Sequence, residues 1–171
     1  MLNNKKQIKT NKDTLYNSIL LLTRNKLLYT DFKLADTFQN RINLIFLHTS
    51  FLFSVVKGKK QFTKYGEFYQ NIFDLIFRKI ELNMREIGYG DVSVNKHMKF
   101  LVKTFYNILL ECEKYKDNSQ KAKKDFLLKY LKLLTEGNPN NIDKLIRYFD
   151  KYEAFCFDLN PNSVLKGSLN F

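Results

Sequence analysis

The stretch INLIFLHTSFLFSVV (Ile42 to Val56) does most to limit what this chain can fold into. It is apolar on almost every side of a helix, so it must be covered on most sides by the rest of the protein. It is shorter than the ~20 residues a membrane-spanning helix needs. It is also interrupted by Asn43, His48, Thr49, Ser50 and Ser54. A helix over about 37–57, capped by Asp36-Thr37, stopped by Gly58 and buried near the centre of a bundle, is the expectation. At 100° per residue, Asn43, Ser50, Ser54 and Lys57 share one narrow stripe. Arg41 and His48 fall on the opposite side beside Ile45, Leu52 and Val55, and are expected to face protein and to need partners.

Other segments supply the wrapping. Val94, Met98, Leu101, Val102, Phe105, Ile108, Leu109 and Cys112 keep a helical period over five turns. Before them, about 63–87 places Phe68, Ile72, Leu75, Ile76, Met84 and Ile87 on one side, with Glu81 and Arg85 as an i,i+4 pair. Leu15, Ile19 and Leu22 mark a first helix beginning after Asp13-Thr14, behind a basic, aperiodic tail at 1–12 expected to be flexible. LLYTDFKLADT reads as an irregular connector. Helices are expected over about 119–135 and 142–155, with at most one short turn in the final segment. No run alternates as a strand would and no repeat is evident. The expected fold is all-α: a single-domain bundle of about six helices over 13–171, with the 37–57 helix at its centre.

The stretch REIGYGDVSVNKHMK (85–99) raises the question of chemistry. Two glycines two residues apart before a helix could cradle a phosphate. The dinucleotide pattern, however, needs a preceding strand and a third glycine, where this chain has a helix and Ser93. Asp91 would also place its carboxylate where the anion should sit. The residues favour a corner in which Gly88 takes the left-handed position, Gly90 bends the chain and Asp91 or Ser93 caps the next helix. Glu86 at the end of one helix and Lys96 in the first turn of the next each oppose the helix dipole. They are expected to pair across the corner or to hold other partners, with Arg41 and Arg85 as candidates for Glu86.

No catalytic residue is proposed. His48 is a lone histidine on an apolar helix, and such residues are most often satisfied within a core. His97 stands between Lys96 and Lys99, a poor setting for a metal cation. No Glu-x-x-His pair, zinc spacing or nucleophile motif occurs, so neither a metal nor another cofactor is expected. Cys112 and Cys156 fit no Cys-x-x-Cys pattern and suggest a reducing compartment. No secretory signal is evident. The net charge of +12 favours anionic partners, although an A/T-rich genome would inflate lysine by itself. Candidate anionic-surface contacts are Lys57, Lys59, Lys60 and Lys64, and Lys121, Lys123 and Lys124. Neither cluster lies on a recognition helix, so specific DNA readout is not expected.

The order of LYNSIL (15–20), ADTFQNRINLIFLH (35–48), FDLIFRKIELNMREIGYGDVSVNKHMKFLVKTFYN (73–107) and VLKGSLNF (164–171) resembles the ubiquinol–cytochrome c chaperone family of alpha-proteobacteria and mitochondria. Asn107-Ile108 and Asn43 depart from its usual pattern. The resemblance implies a non-enzymatic assembly factor for ubiquinol–cytochrome c reductase (complex III) that acts on newly made cytochrome b or an early intermediate. It further implies work beside the inner membrane, on the cytoplasmic side in bacteria or the matrix side in mitochondria. The ribosome and a second small assembly subunit are implied neighbours. The residues carried by matching motifs are Arg41, His48, Arg85, Glu86, Gly88, Gly90, Asp91, Lys96 and Lys99. They would form either a buried polar network or a surface for client and partner. The alternative reading is a basic helical protein that binds ribosome or nucleic acid through its lysine clusters.

Overall fold

Helix α3 (Phe38–Lys57) is the axis of the molecule. In the computed structural model the described residues are 2–57, 62–134 and 139–171, with side chains described for all of these but 2–10, 56–57, 62–65, 139 and 161. Thr37 caps α3 as expected, its hydroxyl accepting the Asn40 N–H at 3.2 Å. Every residue from Ile42 to Leu52 is buried. Gly58, the expected stop, lies outside the described residues.

Around this axis run α1 (Leu2–Thr23), the short α2 (Lys26–Thr30), α4 (Phe62–Glu86), α5 (Asp91–Cys112), a 3-10 turn (Tyr115–Asp117), α6 (Gln120–Tyr130), α7 (Pro139–Asp158) and the short α8 (Pro161–Leu165). Among the described residues six helices have eleven residues or more, matching the expected count. α3 packs against α5, α7, α1 and α4. The α5 stripe behaves as its period predicts: Val94, Leu101, Phe105, Ile108 and Cys112 are buried. Phe46 of α3 stacks on Phe77 of α4 and meets the edge of Phe105 of α5, each at 5.4 Å between ring centres. Such aromatic contacts add to the area that burial removes from water.

Several boundaries differ from the sequence expectation: the connector at 27–37 begins inside the short helix α2, and α7 runs Pro139–Asp158 rather than about 142–155. α1 is already helical at Leu2, ahead of the Asp13-Thr14 cap, since no Gly or Pro interrupts the stretch. α6 stops at Tyr130 rather than near 135. The next residues extend to form an isolated antiparallel bridge, Leu34 with Leu133. Asn40 pins that bridge: its amide donates to the carbonyls of Ala35 and Lys132, and its oxygen accepts the Lys132 N–H. Asn43 adds a bond to the carbonyl of Tyr130. Backbone groups that a longer helix would have used are thus satisfied elsewhere. Finally, α4 ends at Glu86, which leaves Ile87 more than half exposed instead of on the core side.

Candidate functional site

The α4–α5 corner is built by glycine geometry and one arginine. Gly88 has φ +97°, the left-handed conformation that ends α4, and the Tyr89 N–H reaches back to the Met84 carbonyl at 3.0 Å. Gly90, extended, is the N-cap of α5 and makes no side-chain cap bond. Asp91 is therefore the first residue of α5 and not its cap, a correction to the expected assignment. Its carboxylate is held by Arg85, which also binds Glu81 at 2.9 Å. Asp91 at a helix start and Arg85 at a helix end each suit the local dipole. These carboxylates favour the charged arginine and hold its pKa above the usual value.

The expected partnerships of Glu86 do not form. Among the described residues no ion pair joins it to Lys96, and both candidate arginines hold other carboxylates. Lys96 sits in the second turn of α5, because the helix starts at Asp91, and so escapes the dipole conflict expected of it. Arg41 is exposed rather than facing protein: it precedes the buried run and pairs with Asp36, Nε to Oδ1 at 2.6 Å and a terminal nitrogen to Oδ2 at 2.8 Å. The pair holds Asp36 below the usual carboxylate range.

His48 is buried and satisfied at both ring nitrogens. Nδ1 lies 2.7 Å from the Leu44 carbonyl and Nε2 2.8 Å from the Tyr148 hydroxyl. The ring donates at Nδ1 and accepts at Nε2, packed among Tyr148, Phe149 and Tyr152. Desolvation pushes its pKa down to about 4, so the neutral imidazole is the resting form. Arg41, His48 and the corner therefore do not make one polar network.

What the corner does create is a groove. Tyr89, Val92, Ser93, Lys96, His97 and Phe100 form one wall with Met84 and Leu101, and Thr37, Phe38, Gln39 and Ile42 at the start of α3 form the other. The groove encloses about 920 Å³. Tyr89 meets the His97 ring edge-on at 5.2 Å, and His97 Nδ1 bonds the Ser93 carbonyl at 2.8 Å, which fixes the wall. Phe38 and Ile42 also border a second cleft of about 400 Å³ with Tyr16, Leu20, Arg24, Lys26, Asp36 and Arg41. Of the predicted residues, Lys96 lines the first groove and Arg41 the second. Gly88, Gly90, Arg85 and Asp91 shape the corner, while Glu86 and Lys99 are solvent-facing. The apolar members Phe38, Tyr89, Val92 and Phe100 were not singled out from the sequence. Val92 and Phe100 break the inward period of α5, and that off-phase position was their signal.

The basic clusters fare unequally. Lys59 and Lys60, and the side chains of Lys57 and Lys64, lie outside the described residues. Lys121 and Lys124 are exposed, but Lys123 is largely buried over the Tyr115 ring and bonded to Asp150 at 2.9 Å, which withdraws it from any surface contact. Among the described residues no group of three or more His, Cys, Asp or Glu is placed to hold a metal ion, and no helix is long and apolar enough to cross a membrane.

Comparison with known proteins places this architecture. No curated protein sequence gives a significant match. A solved structure, the crystal structure of the Cbp3 homolog from Brucella abortus, shares the fold with a TM-score of 0.83 at 22% identity, over 99% of this chain and 92% of that one. The profile of the ubiquinol-cytochrome C chaperone family matches residues 30–171, a span that holds α3, the corner and both walls of the groove. The chain belongs to the ubiquinol-cytochrome C chaperone family.

Proposed function

We propose that the protein is a non-enzymatic assembly chaperone for ubiquinol–cytochrome c reductase, and that the α4–α5 groove receives an apolar segment of newly made cytochrome b or of an early intermediate containing it. One observation carries this reading: an open groove of about 920 Å³ whose rim exposes Val92 and Phe100 to solvent. Exposed aromatic and aliphatic side chains around a preformed groove are what a helix-in-groove client needs. Lys96 at the rim adds a cation for an acidic group on the client. Work beside the inner membrane, near the ribosome and with a second small subunit, belongs to the same reading. The alternative of a ribosome or nucleic-acid binder rests, among the described residues, on Lys121 and Lys124, since Lys123 is committed to Asp150.

The test is a photo-crosslinking amino acid at Val92, compared with one at the remote, exposed Leu128, in cells making cytochrome b. Capture of cytochrome b from Val92 alone is expected. Cells lacking the protein should lose the cytochrome b absorbance while other respiratory complexes persist, and Phe100→Asp should not restore it. Normal cytochrome b spectra in the deletion strain, or equal capture from both positions, would overturn the reading.

A further inference from the structure

The solvent face of α5 mixes exposed apolar side chains with lysines. With Val92 as origin and 100° per residue, a stripe from about −40° to 80° holds Tyr106, Lys99, Val92, Leu110, Lys103, Lys96, Asn107 and Phe100. Four of these are apolar or aromatic and exposed: Val92 85%, Phe100 60%, Leu110 56% and Tyr106 49%. Three are lysines, all exposed and without an ion pair among the described residues. No carboxylate lies within the stripe. Of the acids that flank it, Asp91 is held by Arg85 and Glu111 binds Lys129 and the Tyr130 hydroxyl, while the exposed Glu113 follows the last residue of α5. The α4–α5 hairpin as a whole carries seven of the fourteen large exposed hydrophobic residues among those described, four of them in this stripe.

We propose that this face of α5 docks on an anionic lipid surface. The arrangement within the stripe selects this occupant over a protein. A protein interface gathers apolar side chains at its centre and leaves charge to the rim. Here the middle of the stripe is mixed: Lys103 lies on its centre line, with Val92, Leu110 and Lys96 about 20° and Lys99 about 40° from it, so a protein would have to bury amines among the apolar side chains or leave a gap around each. A bilayer interface accommodates both kinds at the same depth: Val, Phe, Tyr and Leu enter among the headgroups, while each lysine lays its stem along them and keeps its amine at the phosphates. From Val92 to Leu110 the stripe runs about 27 Å along the helix, long enough for three lysines to reach separate headgroups. Three lysines near an anionic surface are worth on the order of a hundredfold in affinity. The stripe shares Val92, Lys96 and Phe100 with the rim of the groove, so docking would bring the groove's mouth to the headgroup layer. The proposal deepens the peripheral placement in the functional reading above and rests on it only for that consequence, since binding to lipid requires no client.

The protein contains no tryptophan, so Leu110→Trp gives a clean fluorescence reporter at the far end of the stripe. The probe is vesicles of phosphatidylcholine with or without phosphatidylglycerol. The expected result is a blue shift with the anionic vesicles only, lost at high salt. Added to the reporter, Lys99→Glu with Lys103→Glu should weaken binding by more than about tenfold. These residues lie outside the groove and are exposed, so an unchanged melting temperature shows that the fold is intact. Lys144→Glu with Lys151→Glu, on exposed positions of α7, should leave binding within about threefold. The proposal is overturned if neither vesicle shifts the reporter, if neutral vesicles bind as well, or if the α7 pair weakens binding as much as the α5 pair. A shift with an acidic amphipathic peptide or RNA but not with vesicles overturns it in favour of that partner. Loss of vesicle binding with client capture from Val92 retained would sink this proposal alone, and the converse would sink only the client groove.

Discussion

A single imidazole shows how burial converts a titratable residue into a structural one. His48 is neutral because desolvation outweighs the Leu44 carbonyl bond, which by itself would favour the protonated ring. A proton added at Nε2 would also meet the Tyr148 hydroxyl, which now donates there. The folded pKa lies near 4 and the unfolded one near 6.5. Its contribution to stability is therefore fully present above pH 6.5 and falls as the pH drops from 6.5 to 4, by about 3 kcal/mol. Denaturant unfolding of wild type and His48→Gln across this range checks the sign. The difference between the two should shrink on acidification, because only the wild type carries this linkage. A difference independent of pH would remove the neutral-histidine account. Lys123 makes the complementary point: as one of a surface cluster in the sequence it looked like the other lysines, yet Asp150 and the Tyr115 ring hold it.

The corner between α4 and α5 is an element defined by two glycines with unequal jobs. Gly88 is left-handed, and a side chain there is strained although nothing crowds its Cβ position. Gly88→Ala should cost about 1 kcal/mol. Gly90 is extended and uncapped, with open space around it, so Gly90→Ser should raise stability by a few tenths of a kcal/mol by supplying the missing N-cap bond. Urea midpoints of the two variants should move in opposite directions; a shared direction would contradict the assignment. Central α3 offers a harsher test of the packing. Phe46→Ala removes a fully buried ring stacked on Phe77 and edged by Phe105, and should cost 3–5 kcal/mol or roughly that in calorimetric or chemical unfolding.

At the scale of the whole molecule, the C-terminal segment is clasped to the start of the chain through Gly167. Its φ is +81°, and a Cβ there would lie 2.7 Å from the Asn11 carbonyl and 2.9 Å from the Leu15 nitrogen, both backbone atoms that cannot swing aside. The Ser18 hydroxyl reaches the Gly167 carbonyl at 3.1 Å. Beyond it, Phe171 packs against Tyr148, Tyr152 and Phe155. Gly167→Ala should therefore cost roughly 2 kcal/mol or more and open the segment after α8 to proteolysis. Mass spectrometry of limited digests would show cleavage after Lys166 in the variant and not in the wild type. Equal digestion of both would mean the clasp is dispensable. The clasp closes the bundle on the side of α1, whereas among the described residues Val92, Phe100, Tyr106 and Leu110 of α5 stay exposed.

Local periodicity was enough to place most of the core, because it depends on residues three and four apart. The apolar run at 42–56 announced a central helix, the stripe from Val94 to Cys112 announced α5, and Gly88 announced a left-handed turn, each without knowledge of a partner. The same pattern held the clue to the groove and to the α5 face, in the off-phase Val92, Phe100 and Leu110. Partnership was another matter. His48 meets Tyr148 a hundred positions away, and Asn40 stops α6 by bonding Lys132 across 92 positions. Arg85 chose Asp91 over Glu86 because the turn at Gly88 brings the start of α5 back to it. The sequence determined which side of each helix would leave water. Only the tertiary structure decided which polar groups met and which apolar side chains stayed outside, because those outcomes depend on distances set by how the helices cross.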